Sequence, residues 1–250
     1  MSRATRAFKL TGWIIKMLIA LIVGLVCAIV LWRVFSSSDP KTMKTLSVNE
    51  KTYSAYEASG DELYIFEQEQ NSITRGDKNY GYFSVTQDIF IPDANQAQLV
   101  FRYNNSTIRA LASDYSLPEV PAREAELYDV TLLLAIDITP EDTTDNDQNS
   151  PESIRFVRVH ASSYSRDTKL MYNYFRYIFD IGESGEDIKT LLDEGLLLAV
   201  YADVYYNEDI DYEKTPYGTL CLYDYRSERL PVKLSGRDKR ALRAFGEQNG

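Results

Sequence analysis

One apolar segment near the N-terminus constrains this chain more than any other feature. Residues 17–32 contain no charged or strongly polar side chain. Extended back to Trp13, with Lys16 able to place its ammonium outside the lipid, the segment reaches the roughly 20 residues that a helix needs to cross a hydrocarbon core. The sequence therefore predicts a transmembrane helix over residues 13–35, preceded by a short basic cytoplasmic tail over residues 1–12.

The residues around this segment indicate a retained signal anchor. The apolar run is longer than the core of a cleaved signal peptide, which spans about 7–15 residues. Basic residues are slightly more frequent on the N-terminal side, where four lie before the uncharged run 17–32, than on the other side, where three follow it up to Lys44. Because basic residues favour the cytoplasmic side, we expect a single-pass protein of the cell membrane with a cytoplasmic N-terminus and an extracytoplasmic C-terminal domain.

Small residues inside the span predict a second property of the anchor. Ala20, Gly24 and Ala28 repeat at every fourth position and share one face of a helix. Small residues at this spacing let two helices approach closely in lipid. A helix–helix contact through these three residues is therefore one expectation, and a plain anchor without such a contact is the other.

Charge and cysteine content restrict what the rest of the chain does. Residues 1–35 hold five basic and no acidic residues, so 22 of the 27 Lys and Arg and all 37 Asp and Glu lie beyond them, a net charge of −15. An acidic surface argues against nucleic acid or anionic lipid as a ligand, since both need cationic surface. Only Cys221 lies outside the apolar segment, so no intramolecular disulfide is predicted in the exported part, which fits a bacterial envelope.

The chain after the span divides into three predicted parts. Residues 36–61 are polar without sustained periodicity and are interpreted as a stalk. Residues 62–234 alternate short Tyr-, Val-, Ile- and Thr-rich runs with polar turns, which is typical of strands. Strands are predicted at residues 63–68, 82–91, 98–103, 107–111, 128–138, 154–163, 169–179, 196–206 and 219–225. One short helix is predicted over residues 186–194, and a C-terminal helix and tail occupy residues 235–250.

This pattern predicts a mainly β fold: an N-terminal transmembrane helix followed by an antiparallel β-sandwich with one or two short helices. The alternation is clearest in residues 128–138 and 196–206, where apolar residues recur at every second position. In the second segment the apolar face is expected to run through Leu196, Leu198 and Val200.

The abundance of tyrosine suggests a ligand surface. The chain contains 19 tyrosines, and Tyr201, Asp203 and Tyr205 lie on the polar face of one predicted strand. Tyrosine combines apolar area with a hydrogen-bonding tip, so these three residues could form a platform for a sugar ring or a peptide. Tyrosines also pair well across strands, so a purely structural role is the alternative.

The acidic loops offer a weak metal-site pattern. Asp209, Asp211 and Glu213 have the alternate spacing of hard oxygen ligands, as do Asp145 and Asp147 with Asn149. The second set lacks the glycine and the terminal acid of an EF-hand loop. Solvated acidic loops are the simpler interpretation, and no cofactor is predicted.

Three scattered residues carry a resemblance to an enzyme family. His160, Cys221 and either Arg226 or Arg229 follow one another in the order His, Cys, Arg on a membrane-tethered β-rich domain. This layout resembles that of sortases, and the resemblance implies a transpeptidase in which the cysteine is the nucleophile and the arginine steadies the developing charge. The residues around Cys221 depart from the family pattern, because Thr219 and Leu220 directly precede it.

The sequence thus favours a membrane-anchored, non-enzymatic envelope protein that acts by binding or assembly with another envelope protein. A glycan-binding module using exposed tyrosines is the first alternative. A sortase-like cysteine transpeptidase is the second.

Overall fold

The fold is described from a computed structural model of the chain. The structure describes residues 3–37, 40–60, 63–67, 74–75, 78–79, 83–122, 125–138, 154–169, 172–206, 218–226 and 231–249. The chain divides into two compact units, Met1–Asp39 and Pro40–Gly250.

The first unit is one long helix, α1 (Arg3–Ser37). Its segment Ile15–Trp32 has a mean hydropathy of 2.7, and its residues are exposed. Among the described residues this is the one helix long and apolar enough to span a membrane. Gly24 has open space around it, since no atom lies within 4 Å of a Cβ placed there. The predicted contact through Ala20, Gly24 and Ala28 stays a prediction.

The second unit is built on antiparallel strands. They are β1 (Tyr64–Glu67), β2 (Thr74–Arg75), β3 (Lys78–Asn79), β4 (Ser84–Ile91), β5 (Gln96–Asn104), β6 (Tyr128–Asp137), β7 (Ile154–His160), β8 (Ser163–Lys169), β9 (Tyr172–Asp180), β10 (Leu197–Tyr206), β11 (Gly218–Asp224) and β12 (Val232–Lys233). The helices are α2 (Glu50–Ala58), α3 (Asn105–Asp114), α4 (Ile188–Asp193) and α5 (Gly236–Asn249). The prediction of a mainly β fold with antiparallel strands and short helices is confirmed.

The strands form two groups of six. The first group has the order β12-β1-β4-β5-β9-β8, and the second has the order β3-β2-β11-β10-β6-β7. Within the first group, β1 pairs with β12 through Tyr64 and Ile65 and with β4 through Phe66 and Glu67. The first group, called the first sheet below, therefore consists of two ladders joined at β1. The second group is called the second sheet.

Both sheets contribute to one hydrophobic core. Leu99 and Phe179 of the first sheet belong to the same buried cluster as Leu134 and Val204 of the second. Apolar side chains at alternate positions supply this cluster, because successive residues of a strand point to opposite faces. Burying such large aliphatic and aromatic side chains is the main source of stability for a β fold.

A buried hydrogen bond also links the two sheets. The Tyr177 hydroxyl on β9 donates to the backbone carbonyl of Tyr128 on β6 at 3.0 Å. Tyr128 in turn contacts the rings of Phe83 and Tyr103, whose centroids lie 4.8 and 6.1 Å away.

Residues 40–60 pack on the first sheet, so the prediction of a stalk over residues 36–61 is wrong for this part. Leu46 and Tyr56 are buried together with Ile89 and Ile91 of β4 and with Leu242 of α5. The segment looked polar because only every few residues point inward. The partners that bury those residues lie far away in the sequence.

A second difference concerns residues 107–111, predicted as a strand and found within α3. The Asn104 side chain accepts hydrogen bonds from the backbone N–H groups of Ser106 and Thr107 at 2.9 and 3.1 Å, which caps the helix. Ile108 and Leu111 are buried one helical turn apart. The capping bonds outweigh the β propensity of the short Thr-Ile run.

The register of β10 also differs from the expected alternation. Pairing with β6 shifts by one residue between Leu197 and Ala199. Consequently Leu197 enters the core with 1% of its surface exposed, while Leu198 is half-buried. The expectation that Leu198 faces the core is wrong, because a bulge inserts one residue into the strand.

Candidate functional site

The outer surface of the second sheet carries the clearest cluster of interacting polar side chains outside the core. Directly opposed residues on four strands form one row, which runs His160, Thr131, Asp203, Thr219. Opposed residues of an antiparallel sheet point to the same side. Their chain neighbours Leu132, Ala202 and Leu220 belong to the core, so the row faces outward. We call this surface the open face, and it also carries Phe156, Arg158, Leu133, Tyr201, Tyr205 and Cys221.

The two sheets differ in how their outer surfaces are covered. Residues 43–56 and α5 bury apolar side chains of β1, β4, β5 and β9, all in the first sheet. Neither of these outer clusters contains a residue of the second sheet. Residues 43–56 and α5 therefore do not cover the open face, although Thr131, Asp203 and Tyr205 on it are buried.

Arg158 is the centre of the polar network on the open face. Its Nη1 donates to Thr131 Oγ1 at 2.9 Å and to the Tyr205 hydroxyl at 3.0 Å. The guanidinium carbon lies 5.6 Å from the centroid of the Tyr205 ring, within the range of a cation–π contact.

Asp203 lies beside Arg158 and supplies the opposite charge. Its Oδ2 is 3.9 Å from Arg158 Nη1, and its Oδ1 accepts a hydrogen bond of 2.8 Å from Thr219 Oγ1. Only 5% of Asp203 is exposed. Burial raises the pKa of its carboxyl, while the Thr219 hydrogen bond and the Arg158 charge act in the opposite direction.

Burial affects both tyrosines that β10 places on the open face, Tyr201 and Tyr205. Burial raises the pKa of the Tyr205 phenol, although the hydrogen bond from Arg158 opposes this rise. Burial is also the main cause that raises the pKa of Tyr201. Both phenols therefore stay protonated at neutral pH and can serve as neutral hydrogen-bonding groups.

The structure brings Tyr201, Asp203 and Tyr205 onto one face, as the strand pattern predicts. Asp203 and Tyr205 are buried, however, and Tyr201 is half-buried. These residues are therefore largely packed in the sheet surface, and only Tyr201 offers a part-exposed ring. Ligand binding by the three residues stays a prediction.

Sequence reasoning missed the residues that organise this site. Three different strands supply these residues, which are Arg158, Thr131 and Thr219. They lie on one surface only in the observed register of β7, β6, β10 and β11. A signal for Arg158 was its position between Val157 and Val159 in a predicted strand. Phe156, two residues earlier on the same face of β7, is 60% exposed, so the charged network lies beside an accessible aromatic ring.

The structure separates the residues of the sortase resemblance. His160 lies on β7 and Cys221 on β11, with β6 and β10 between them. Three strand spacings of about 4.8 Å place their backbones roughly 14 Å apart, beyond the reach of a nucleophile–base hydrogen bond. The Cys221 thiol donates instead to the Tyr223 carbonyl at 3.3 Å. The structure therefore does not bring His160 and Cys221 together, and the transpeptidase alternative stays a prediction.

The arginines of the same interpretation give no further support. Arg226 lies after β11, where its Nε donates to the Tyr225 hydroxyl at 3.0 Å. Arg229 lies outside the described residues.

The candidate metal residues Asp209, Asp211 and Glu213 also lie outside the described residues, as do Asp145, Asp147 and Asn149. Within the described part of the chain, no group of three or more His, Cys, Asp or Glu side chains is placed to hold a metal ion.

Comparison of the chain with protein-family models, with curated proteins and with solved structures finds no match.

Proposed function

We propose that this chain is a single-pass membrane protein of the cell envelope whose extracytoplasmic domain acts by binding another envelope protein, and not as an enzyme. In this proposal α1 is a retained anchor with its N-terminus in the cytoplasm. The domain is an antiparallel β-sandwich, and its open face is the recognition surface.

The architecture supports the first part of the proposal. Ile15–Trp32 has the length and hydropathy of a membrane span, and it begins soon after the basic residues that favour a cytoplasmic N-terminus. The shared core and the Tyr177–Tyr128 hydrogen bond support a sandwich of two facing sheets.

The open face supports the second part, and the observation that carries it is the exposed Phe156 ring next to the Arg158–Asp203 pair. An accessible aromatic side chain two residues from an arginine on the same strand face is a composition common in protein interfaces. Arg158 is fixed by two hydrogen bonds, so the surface loses little conformational freedom when a partner binds.

A photo-crosslinking amino acid at position 156 tests this proposal in the native membrane. We expect one discrete adduct with an envelope protein, because a short-range crosslinker at Phe156 reports contacts made by the open face. The matched control carries the same amino acid at Asp114, an exposed position at the end of α3. The control should give no such adduct.

Other outcomes count against the proposal. Equal adducts at positions 156 and 114 would indicate non-specific proximity. Without any adduct at position 156, recognition by the open face fails. A shift in melting temperature on addition of cell-wall glycan fragments, lost in a Tyr201→Ala variant, would then favour the glycan-binding alternative.

A further inference from the structure

A basic pocket lies at the N-terminus of α5, away from the open face. It has a volume of about 570 Å³ and is lined by the cationic side chains of Lys44, Arg237 and Arg240, together with Gln87 of β4 and Asp238. The domain that carries this pocket is strongly acidic overall. The three clustered cations therefore make this part of an otherwise negative surface positive.

The one acid in the pocket wall is already engaged. Asp238 Oδ1 accepts a hydrogen bond of 2.7 Å from the backbone N–H of Leu46, and Oδ2 accepts one from the Ser235 hydroxyl. Only 5% of Asp238 is exposed. The exposed charge of the pocket is consequently that of Lys44, Arg237 and Arg240, all of which are exposed.

A buried arginine near the pocket offsets the charge of Asp238. Arg176 is 4% exposed, and its Nη2 donates to the Thr45 carbonyl at 2.6 Å and to Gln87 Oε1 at 3.4 Å. Its Nε has no hydrogen-bond partner among the described residues. Burial lowers the pKa of Arg176 to about 10, so the guanidinium is still charged at neutral pH.

The backbone of α5 contributes in the same direction. In the first turn of this 14-residue helix, which begins at Gly236, the Asp238 N–H already donates to Ser235 Oγ at 3.3 Å, and the positive end of the helix dipole lies at the pocket. Arg240 Nε donates to the Gly236 carbonyl at 3.1 Å, which holds the guanidinium close to that turn. Cations and the positive end of the helix dipole thus lie at one concavity.

We propose that this pocket binds a phosphate group, and that the phosphate belongs to the headgroup of an anionic phospholipid. Arginine and helix-terminal amides are the groups that proteins use to bind phosphate oxygens. Only a short stretch of chain separates Trp32, at the end of the apolar window, from Lys44. The assignment of the phosphate to a lipid headgroup therefore depends on the membrane anchor of the proposed function, whereas phosphate binding itself does not.

Binding of soluble lipids to the full-length chain in a non-ionic detergent tests the proposal. The probes are dihexanoyl-phosphatidylglycerol, dihexanoyl-phosphatidylcholine and inorganic phosphate. We expect the phosphatidylglycerol to bind, and the double variant Arg237→Gln/Arg240→Gln to weaken its binding by about tenfold or more, because charge-assisted hydrogen bonds are lost. Arg109→Gln, which removes an exposed arginine on α3, should leave the affinity unchanged.

Each contrary result overturns a defined part of the inference. Unchanged affinity in the double variant excludes this pocket. Phosphatidylcholine binding as tightly as phosphatidylglycerol excludes recognition of an anionic headgroup. Inorganic phosphate binding as tightly as the lipid makes a free anion the ligand. If the double variant has a lowered melting temperature, the single variant Lys44→Gln replaces it.

The measured affinity does not depend on the membrane topology, because the chain is studied in detergent. A failure of lipid binding therefore leaves the proposed membrane topology untouched, and a failure of that topology leaves the affinity measurement valid.

Discussion

The backbone N–H of Leu46 donates a 2.7 Å hydrogen bond to Oδ1 of Asp238, 192 residues further along the chain. The bond joins the segment before α2 to the first turn of α5, and both ends are buried. This hydrogen bond therefore links the first and the last segments of the domain, which both pack on the first sheet.

Replacing Asp238 with Ala should destabilise the domain. The substitution leaves the buried N–H of Leu46 without an acceptor, which costs about 1–3 kcal/mol of unfolding free energy. Urea unfolding of the full-length chain in detergent measures this loss. Arg237→Ala, at the exposed neighbouring position, should change stability by less than about 0.5 kcal/mol. Equal stability of Asp238→Ala and wild type would show that the Leu46–Asp238 hydrogen bond does not stabilise the domain.

A second prediction concerns the link between the two sheets. Tyr177→Phe removes the hydroxyl that donates to the Tyr128 carbonyl, and we expect a loss of about 1 kcal/mol. The matched control is Tyr164→Phe, because Tyr164 is the partner of Tyr177 across β8 and β9 but is 55% exposed. Thermal unfolding of both variants compares them directly. If Tyr164→Phe is as destabilising as Tyr177→Phe, the link between the sheets is not the cause.

Several of these relationships cannot be derived from the sequence. Strands such as β6 were predictable because one face is apolar at every second residue. The strand β8 was missed as a separate element, since its residues Ser163–Lys169 are mostly exposed and show no apolar alternation. The packing of residues 40–60 depends on partners such as Asp238 and Leu242, which no local pattern reveals.

The candidate site shows the same division. Tyr201, Asp203 and Tyr205 share a face because residues two apart on a strand always do, and this could be read from the sequence. Arg158 reaches Asp203 only because β7 and β10 both pair with β6 in a particular register. Register depends on the whole sheet, so the ion pair emerged only with the structure.

The raised pKa of Asp203 gives a prediction about pH. The folded protein keeps the proton of this carboxyl to a higher pH than the unfolded chain does. The stabilising contribution of this group is therefore complete below the unfolded pKa of about 4 and is lost as the pH rises through the folded pKa.

Asp203→Asn removes this titration and keeps an oxygen that can accept the Thr219 hydrogen bond. We expect the stability of Asp203→Asn relative to wild type to increase from about pH 4 to pH 7. Urea unfolding at several pH values provides the comparison. Asp114→Asn, which changes an exposed carboxylate, should show no such trend. A pH-independent difference for Asp203→Asn would contradict the assignment.

Cysteine labelling in intact cells tests the proposed membrane topology. In a chain with Cys27 and Cys221 replaced by Ala, a single cysteine at Glu194, in the exposed turn after α4, should react with a membrane-impermeant maleimide before lysis. A cysteine at Thr5 should react only after lysis. Labelling of position 194 only after lysis would place the domain in the cytoplasm and contradict the account.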